Sequence, residues 1–154
     1  EDGEFLRNEM AVGNDFLTET HFLRCTIGDS VQEEVMIIGG RHLFEDCRIR
    51  AAGPVAVRLM ISRPGRDRPA ALREIQASGK DPDAKPQYAF RRCTLQSADD
   101  TTRKFIVGPN VNLTIDACSF NRIEFEIDPA AEVVVTESTL DGKPLTVELL
   151  NRGR

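Results

Sequence analysis

Apolar and polar positions alternate along most of this chain, and one alternating block recurs. Phe22-Leu23-Arg24-Cys25-Thr26-Ile27 returns as Phe44-Glu45-Asp46-Cys47-Arg48-Ile49 and as Phe90-Arg91-Arg92-Cys93-Thr94-Leu95. It returns again as Ile115-Asp116-Ala117-Cys118-Ser119-Phe120 and as Val135-Thr136-Glu137-Ser138-Thr139-Leu140. Phe5-Leu6-Arg7-Asn8-Glu9-Met10 reads as a fainter first copy. Counting from the Cys as zero, apolar residues hold −5, −3, 0 and +2; Leu113, Ile115, Cys118 and Phe120 fill those places in one copy. Each half has the period of two that marks a strand with one buried face. The step from −3 to 0 breaks that period. A chain that stays inward on both sides of the break must turn a corner at −2 and −1.

A third strand is predicted in each repeat, at Val35-Met36-Ile37-Ile38, Val55 to Ile61, Phe105-Ile106-Val107 and Ile123-Glu124-Phe125-Glu126-Ile127. In the last of these the alternation puts Glu124 and Glu126 outward. Turn residues separate the strands: Gly39-Gly40, Gly108-Pro109-Asn110, Asp128-Pro129 and Asp141-Gly142. Three short strands recurring every ~20–25 residues describe a stack of coils in which each repeat buries itself on its neighbours. Alternation alone also suits a β-sandwich, but sandwich strands seldom copy one another.

On these residues the chain resembles the right-handed parallel β-helix, the pectin-lyase-like fold, over residues 5–150, with Cys25, Cys47, Cys93 and Cys118 as an inward ladder. The expected class is all-β: a single solenoid domain over 1–154 of about six coils. The corner positions agree with stacking in chain order. Asp46 would lie between Arg24 and Arg92, and Arg91 between Glu45 and Asp116, so opposite charges would meet across rungs.

The spacing fails once. Cys47 and Cys93 are 46 residues apart, whereas the flanking intervals are 22 and 25. The surplus, Arg63 to Pro86, is rich in Pro and charge and carries a net +2. It reads as a long loop inserted between strands of one coil, with a short helix over 69–77. Loops of this length are usually functional or disordered.

Charge changes the picture modestly. The net −5 divides as −6 over residues 1–50, +5 over 51–104 and −4 over 105–154, with a pI near 5.1. A local basic surface is expected, but not a nucleic-acid binder, which shows a strongly basic face and pI. No apolar run reaches the ~18 residues of a membrane helix. The start, Glu1-Asp2-Gly3-Glu4, is no signal peptide and lacks an initiator Met, so a processed or excised chain is expected. The Cys spacing excludes CxxC zinc chemistry. In-register Cβ atoms ~4.8 Å apart exceed the disulfide optimum, so free buried thiols are expected, which fit a reducing, cytoplasmic setting. Asn112-Leu113-Thr114 matches a glycosylation sequon by pattern only.

Candidate chemistry lies on the third-strand sheet. By the pectin-lyase-like resemblance a site lies on or beside one sheet, flanked by long loops. That points to Arg58, Lys104, Glu124 and Glu126, roofed by the 63–86 loop with Arg66 and Arg68. Glu124 and Glu126 lie about 6.6 Å apart along a strand, a separation compatible with an inverting glycosidase. The same pair beside Lys104 is also what an ordinary solvated strand face contains. Sugar-stacking aromatics are scarce: there is no Trp, and Tyr88 points inward. His42 is expected at the edge of the core, one coil from Thr20 or Tyr88. No catalytic residue and no cofactor is assigned.

The leading expectation is a non-enzymatic scaffold or interaction module that contacts a protein or glycan. A small polysaccharide lyase or hydrolase is the alternative. A third reading rests on the ends. Nothing caps the start, and Leu145 to Leu149 reads as a last strand, so the open ends would stack on another copy or on more of a longer chain.

Overall fold

The computed structural model describes residues 3–6, 10–14, 19–61, 77, 79 and 84–151. Within them the chain winds as a parallel β-solenoid with three sheets. Sheet A takes β1 (Glu4–Leu6), β4 (Thr26–Gly28), β7 (Arg48–Ala51), β10 (Thr94–Ser97), β13 (Ser119–Asn121) and β16 (Thr139–Leu140). Sheet B takes β2 (Met10–Asn14), β5 (Glu33–Ile38), β8 (Val55–Met60), β11 (Arg103–Val107) and β14 (Ile123–Ile127). Sheet C takes β3 (Glu19–Leu23), β6 (Arg41–Glu45), β9 (Gln87–Arg91), β12 (Asn112–Asp116) and β15 (Glu132–Thr136). Each coil runs A, B, C before the chain climbs to the next.

The repeated block spans the corner from sheet C to sheet A. The −3 residues Phe22, Phe44, Phe90, Ile115 and Val135 are register partners in turn. So are the +2 residues Ile27, Ile49, Leu95, Phe120 and Leu140. At −3 the rings of Phe22 and Phe44 stack at 4.6 Å, and those of Phe44 and Phe90 at 4.8 Å, which is the rung spacing itself. The thiols sit between these columns. Cys25, Cys47, Cys93 and Cys118 are all buried and unbridged. Each carbonyl at the Cys position accepts the N–H of the next coil's +1 residue, from Arg48 to Cys25 through Thr139 to Cys118. The Cys47, Cys93 and Cys118 thiols point back to the carbonyls of Phe22, Phe44 and Phe90 at 3.2–3.3 Å. Ser138 closes the column, its Oγ accepting the Cys118 N–H at 2.9 Å.

The corner itself is one residue. Arg24, Asp46, Arg92, Ala117 and Glu137, all at −1, have φ between 46 and 53°. A left-handed residue between two strands turns the chain from sheet C into sheet A without adding a rung. The N–H at −1 donates to the −2 carbonyl of the next coil, as from Arg92 to Asp116 at 2.9 Å, so the ladder is not interrupted.

Two expectations are corrected. Among the described residues there are five full coils, not six. The faint copy at Phe5–Met10 is out of phase, because parallel pairing sets Phe5 opposite Ile27, a +2 residue, rather than opposite Phe22. The end is also not an open strand. β16 turns through Asp141-Gly142 into the antiparallel β17 (Lys143–Pro144), and a short helix α1 (Val147–Asn151) follows. Leu145 and Leu150 are buried against the last coil. The alternation Leu145/Val147/Leu149 that suggests a strand coexists with a helical face of Leu145, Leu149 and Leu150. Thr146 decides between them by capping α1, its Oγ1 accepting the Leu149 N–H at 3.4 Å.

The surplus between Cys47 and Cys93 falls in the third coil, between β8 and β9. Of the helix expected over 69–77 only Ala77 is described, in a helical conformation; its other residues and the loop residues Arg66 and Arg68 lie outside the described residues.

Candidate functional site

Sheet B carries the residues that the sequence singles out. Parallel pairing fixes which of them meet. Lys104 stands opposite Glu124, and Ile106 separates Arg58 from Glu126 in the neighbouring column. The register slips between Lys104 and Phe105, which face Val55 and Val57, so Ala56 is taken up as a bulge and three consecutive residues of β8 are buried. Arg58, Lys104, Glu124 and Glu126 all point outward, as the alternation predicts.

Their charges are largely committed. The Arg58 guanidinium donates from Nε to Glu33 Oε1 at 2.6 Å, one coil below. Lys104 donates from Nζ to Glu126, and this contact, with the nearby Glu124 charge, holds the ammonium above its usual range. Glu124 makes no ion pair among the described residues. Met36 and Ile106 lie half-buried between the charges. The result is a strand face of largely paired charges with half-buried apolar residues between them. It brings Lys104, Glu124 and Glu126 together and leaves Arg58 apart with Glu33. Glu33 was missed because Arg58 reaches it diagonally, past the register partner Met36.

The corner charges are cross-rung partners as expected for Asp46 and Arg92, which meet at 2.8 Å. The second expected group differs. Arg91 lies between Glu45 and Asp116 in register, yet Glu45 engages Arg92 and His21, and Asp116 accepts from Thr136 Oγ1 at 2.5 Å. Hydrogen bonds from Arg92 pull both the Glu45 and Asp46 carboxyls below their ordinary range.

Buried polar groups elsewhere support the fold. His42 sits between Thr20 and Tyr88 in register and stacks on the Tyr88 ring at 5.9 Å. Its Nε2 lies 2.9 Å from the Gly39 carbonyl, and burial lowers its pKa. The Tyr88 hydroxyl donates to the Met60 carbonyl and accepts the Gly39 N–H, both at 2.7 Å. Glu34 is fully buried and accepts the N–H groups of Ser30 and Ala52, which are equivalent corner positions in successive coils. Cys93 is flanked by Cys118 and Cys47 and buried; these together push its thiol well above the ordinary range. A buried thiol in that state is a poor nucleophile.

One cavity, of about 390 Å³, opens at the C-terminal end between β14 and α1. Ile123, Phe125, Leu145, Leu149 and Leu150 line it, with Glu124 at its mouth. Nothing in the residue pattern points to it, because α1 forms one of its walls. Among the described residues no cluster of three or more His, Cys, Asp or Glu has the geometry to hold a metal ion. Comparison with protein-family models, with curated proteins and with solved structures returns no match.

Proposed function

We propose that the chain is a non-enzymatic interaction module that binds a protein through the outer face of sheet B. The observation that carries this reading is the arrangement of that face. Its cations are already matched by carboxylates, Arg58 by Glu33 and Lys104 by Glu126, and half-buried Met36 and Ile106 lie among them. A strand face of largely paired charges and interspersed apolar area is suited to another protein surface. Of the two carboxylates a glycosidase would use, Glu126 is held by Lys104 and poorly placed to exchange protons with a substrate. The pectin-lyase-like resemblance keeps a glycan and a polysaccharide-cleaving activity as the competing outcomes.

The test uses one panel. Partner capture is compared between the native chain and the Arg58→Glu, Lys104→Glu double variant, with hydrogen exchange locating the contact. Retention by the native chain alone, with protection on β8, β11 and β14, is expected. Turnover of an acidic or neutral polysaccharide that vanishes in Glu124→Gln would overturn the reading.

A further inference from the structure

Sheet B stops one rung short of sheet A. β16 carries sheet A into a sixth rung, but among the described residues no strand lies beyond β14. In a parallel ladder a residue turns its N–H and C=O to the same side, and successive residues alternate sides. The Arg122 carbonyl accepts from the Arg103 N–H, and the Asp128 N–H donates to the Val107 carbonyl. Even-numbered residues of this stretch therefore spend their backbone groups on β11. Those of Ile123, Phe125 and Ile127 face the open side.

Two further features lie along that edge. The apolar cavity sits between β14 and α1, beneath Ile123 and Phe125. On the solvent face Glu124 and Glu126 flank Phe125, both exposed; Lys104 pairs with Glu126, and Glu124 makes no ion pair among the described residues. A row of free donors and acceptors beside a side-chain cavity is the requirement for strand addition, in which main-chain bonds give affinity and alternate side chains give specificity. The outward carboxylates state which charge the added strand must carry, because directly opposed like charges are destabilising.

We propose that the edge of β14 accepts an extended segment of a partner protein as a sixth, parallel strand of sheet B, an apolar side chain entering the cavity and a Lys or Arg on either side of it facing Glu124 and Glu126. This rests on the reading of sheet B as a protein-binding surface and specifies the segment it takes. The partner's motif alternates cationic, apolar and cationic residues. α1 forms the far wall of the groove and the exposed Leu149 its lip.

The probe is a fluorescein-labelled, end-blocked peptide Gly-Lys-Leu-Lys-Leu-Lys-Gly, read by polarisation and by amide exchange of the whole chain. Binding is expected, with exchange at Ile123 and Phe125 slowed roughly tenfold or more. In a parallel sixth strand the residues with outward side chains bond to β14, so methylating the lysine amides of the peptide, replacing its Lys by Glu, and the Glu124→Lys, Glu126→Lys double variant should each weaken binding about tenfold, equivalent to about 1.4 kcal/mol. Leu149→Arg, at an exposed position, should weaken it without unfolding the chain. Arg48→Ala, exposed on sheet A, should leave it unchanged. Equal binding of the N-methylated peptide, equal binding to the double variant, protection at some other edge, or no binding would each overturn the proposal. A peptide that protects Ile123 and Phe125 while the Arg58, Lys104 variant still captures every partner upholds the edge and removes the face.

Discussion

At the scale of single residues, the corner at −1 sets the architecture. Five residues with side chains hold left-handed φ where glycine would be free of strain. Such a conformation costs an L-residue ~1–2 kcal/mol, and the stack accepts that cost at every coil. Ala117 isolates the effect, because it has a φ of 51° and no side-chain functional group. Ala117→Gly should stabilise the chain by ~0.5–1 kcal/mol, the relieved strain less the entropy glycine loses on folding. Ala117→Val should destabilise it by ~1–2 kcal/mol, since a β-branched residue tolerates this region worst. Chemical denaturation of the two variants checks both signs. If both change stability alike, the corner conformation is not what limits the coil.

At the scale of elements, each strand takes its register from inward columns and its outer decoration from charge. The corner group of Glu45, Asp46 and Arg92 links two coils on the solvent side. Both carboxyls titrate below their ordinary values of 4.5 and 3.8 in the folded chain. Their folded state therefore binds fewer protons than the unfolded one. The stability they add is present above about pH 4.5 and is lost as pH falls through the depressed folded values. Arg92→Met should lower the plateau slightly, as expected for exposed pairs, and flatten the acid limb by the same amount, leaving stability below the depressed folded values unchanged. An unaltered acid limb would contradict the role given to Arg92.

The repeat was legible because its columns demand apolar residues at constant spacing, and Phe44, Cys47 and Ile49 satisfy that demand wherever the block recurs. Phe5 to Met10 satisfied it by composition but not by phase, and only pairing with Ile27 reveals the difference. Residues Leu145 to Leu150 carried two periods at once, and tertiary contact with the last coil selected the helix. The outward placement of Arg58, Lys104, Glu124 and Glu126 followed from alternation alone. Which partner each charge takes did not, because Arg58 crosses to Glu33 and Glu45 turns from Arg91 to Arg92 through side-chain geometry that spacing does not encode.

At the scale of the molecule, the five coils form one continuous column of side chains closed at one end by β17 and α1. The aromatic stack of Phe22, Phe44 and Phe90 passes into Phe105, Phe120 and Phe125, whose rings meet edge-on at 5.0–6.1 Å. α1 is too short to be stable alone, so its burial of Leu150 holds it. Leu150→Asp should cost ~2–4 kcal/mol by burying a charge without a partner, while Leu149→Asp, at a position 42% exposed, should cost little. Equal losses would show that α1 does not cap the coil in this orientation.

The stack itself is tested most directly by the thiols. With cysteine Cβ carbons labelled and assigned by single Cys→Ser variants, through-space NMR contacts should join Cys25 to Cys47, Cys47 to Cys93 and Cys93 to Cys118, and no others. Contacts that skip a member, such as Cys25 to Cys93, or the absence of any contact across the 46-residue interval, would contradict a solenoid wound in chain order.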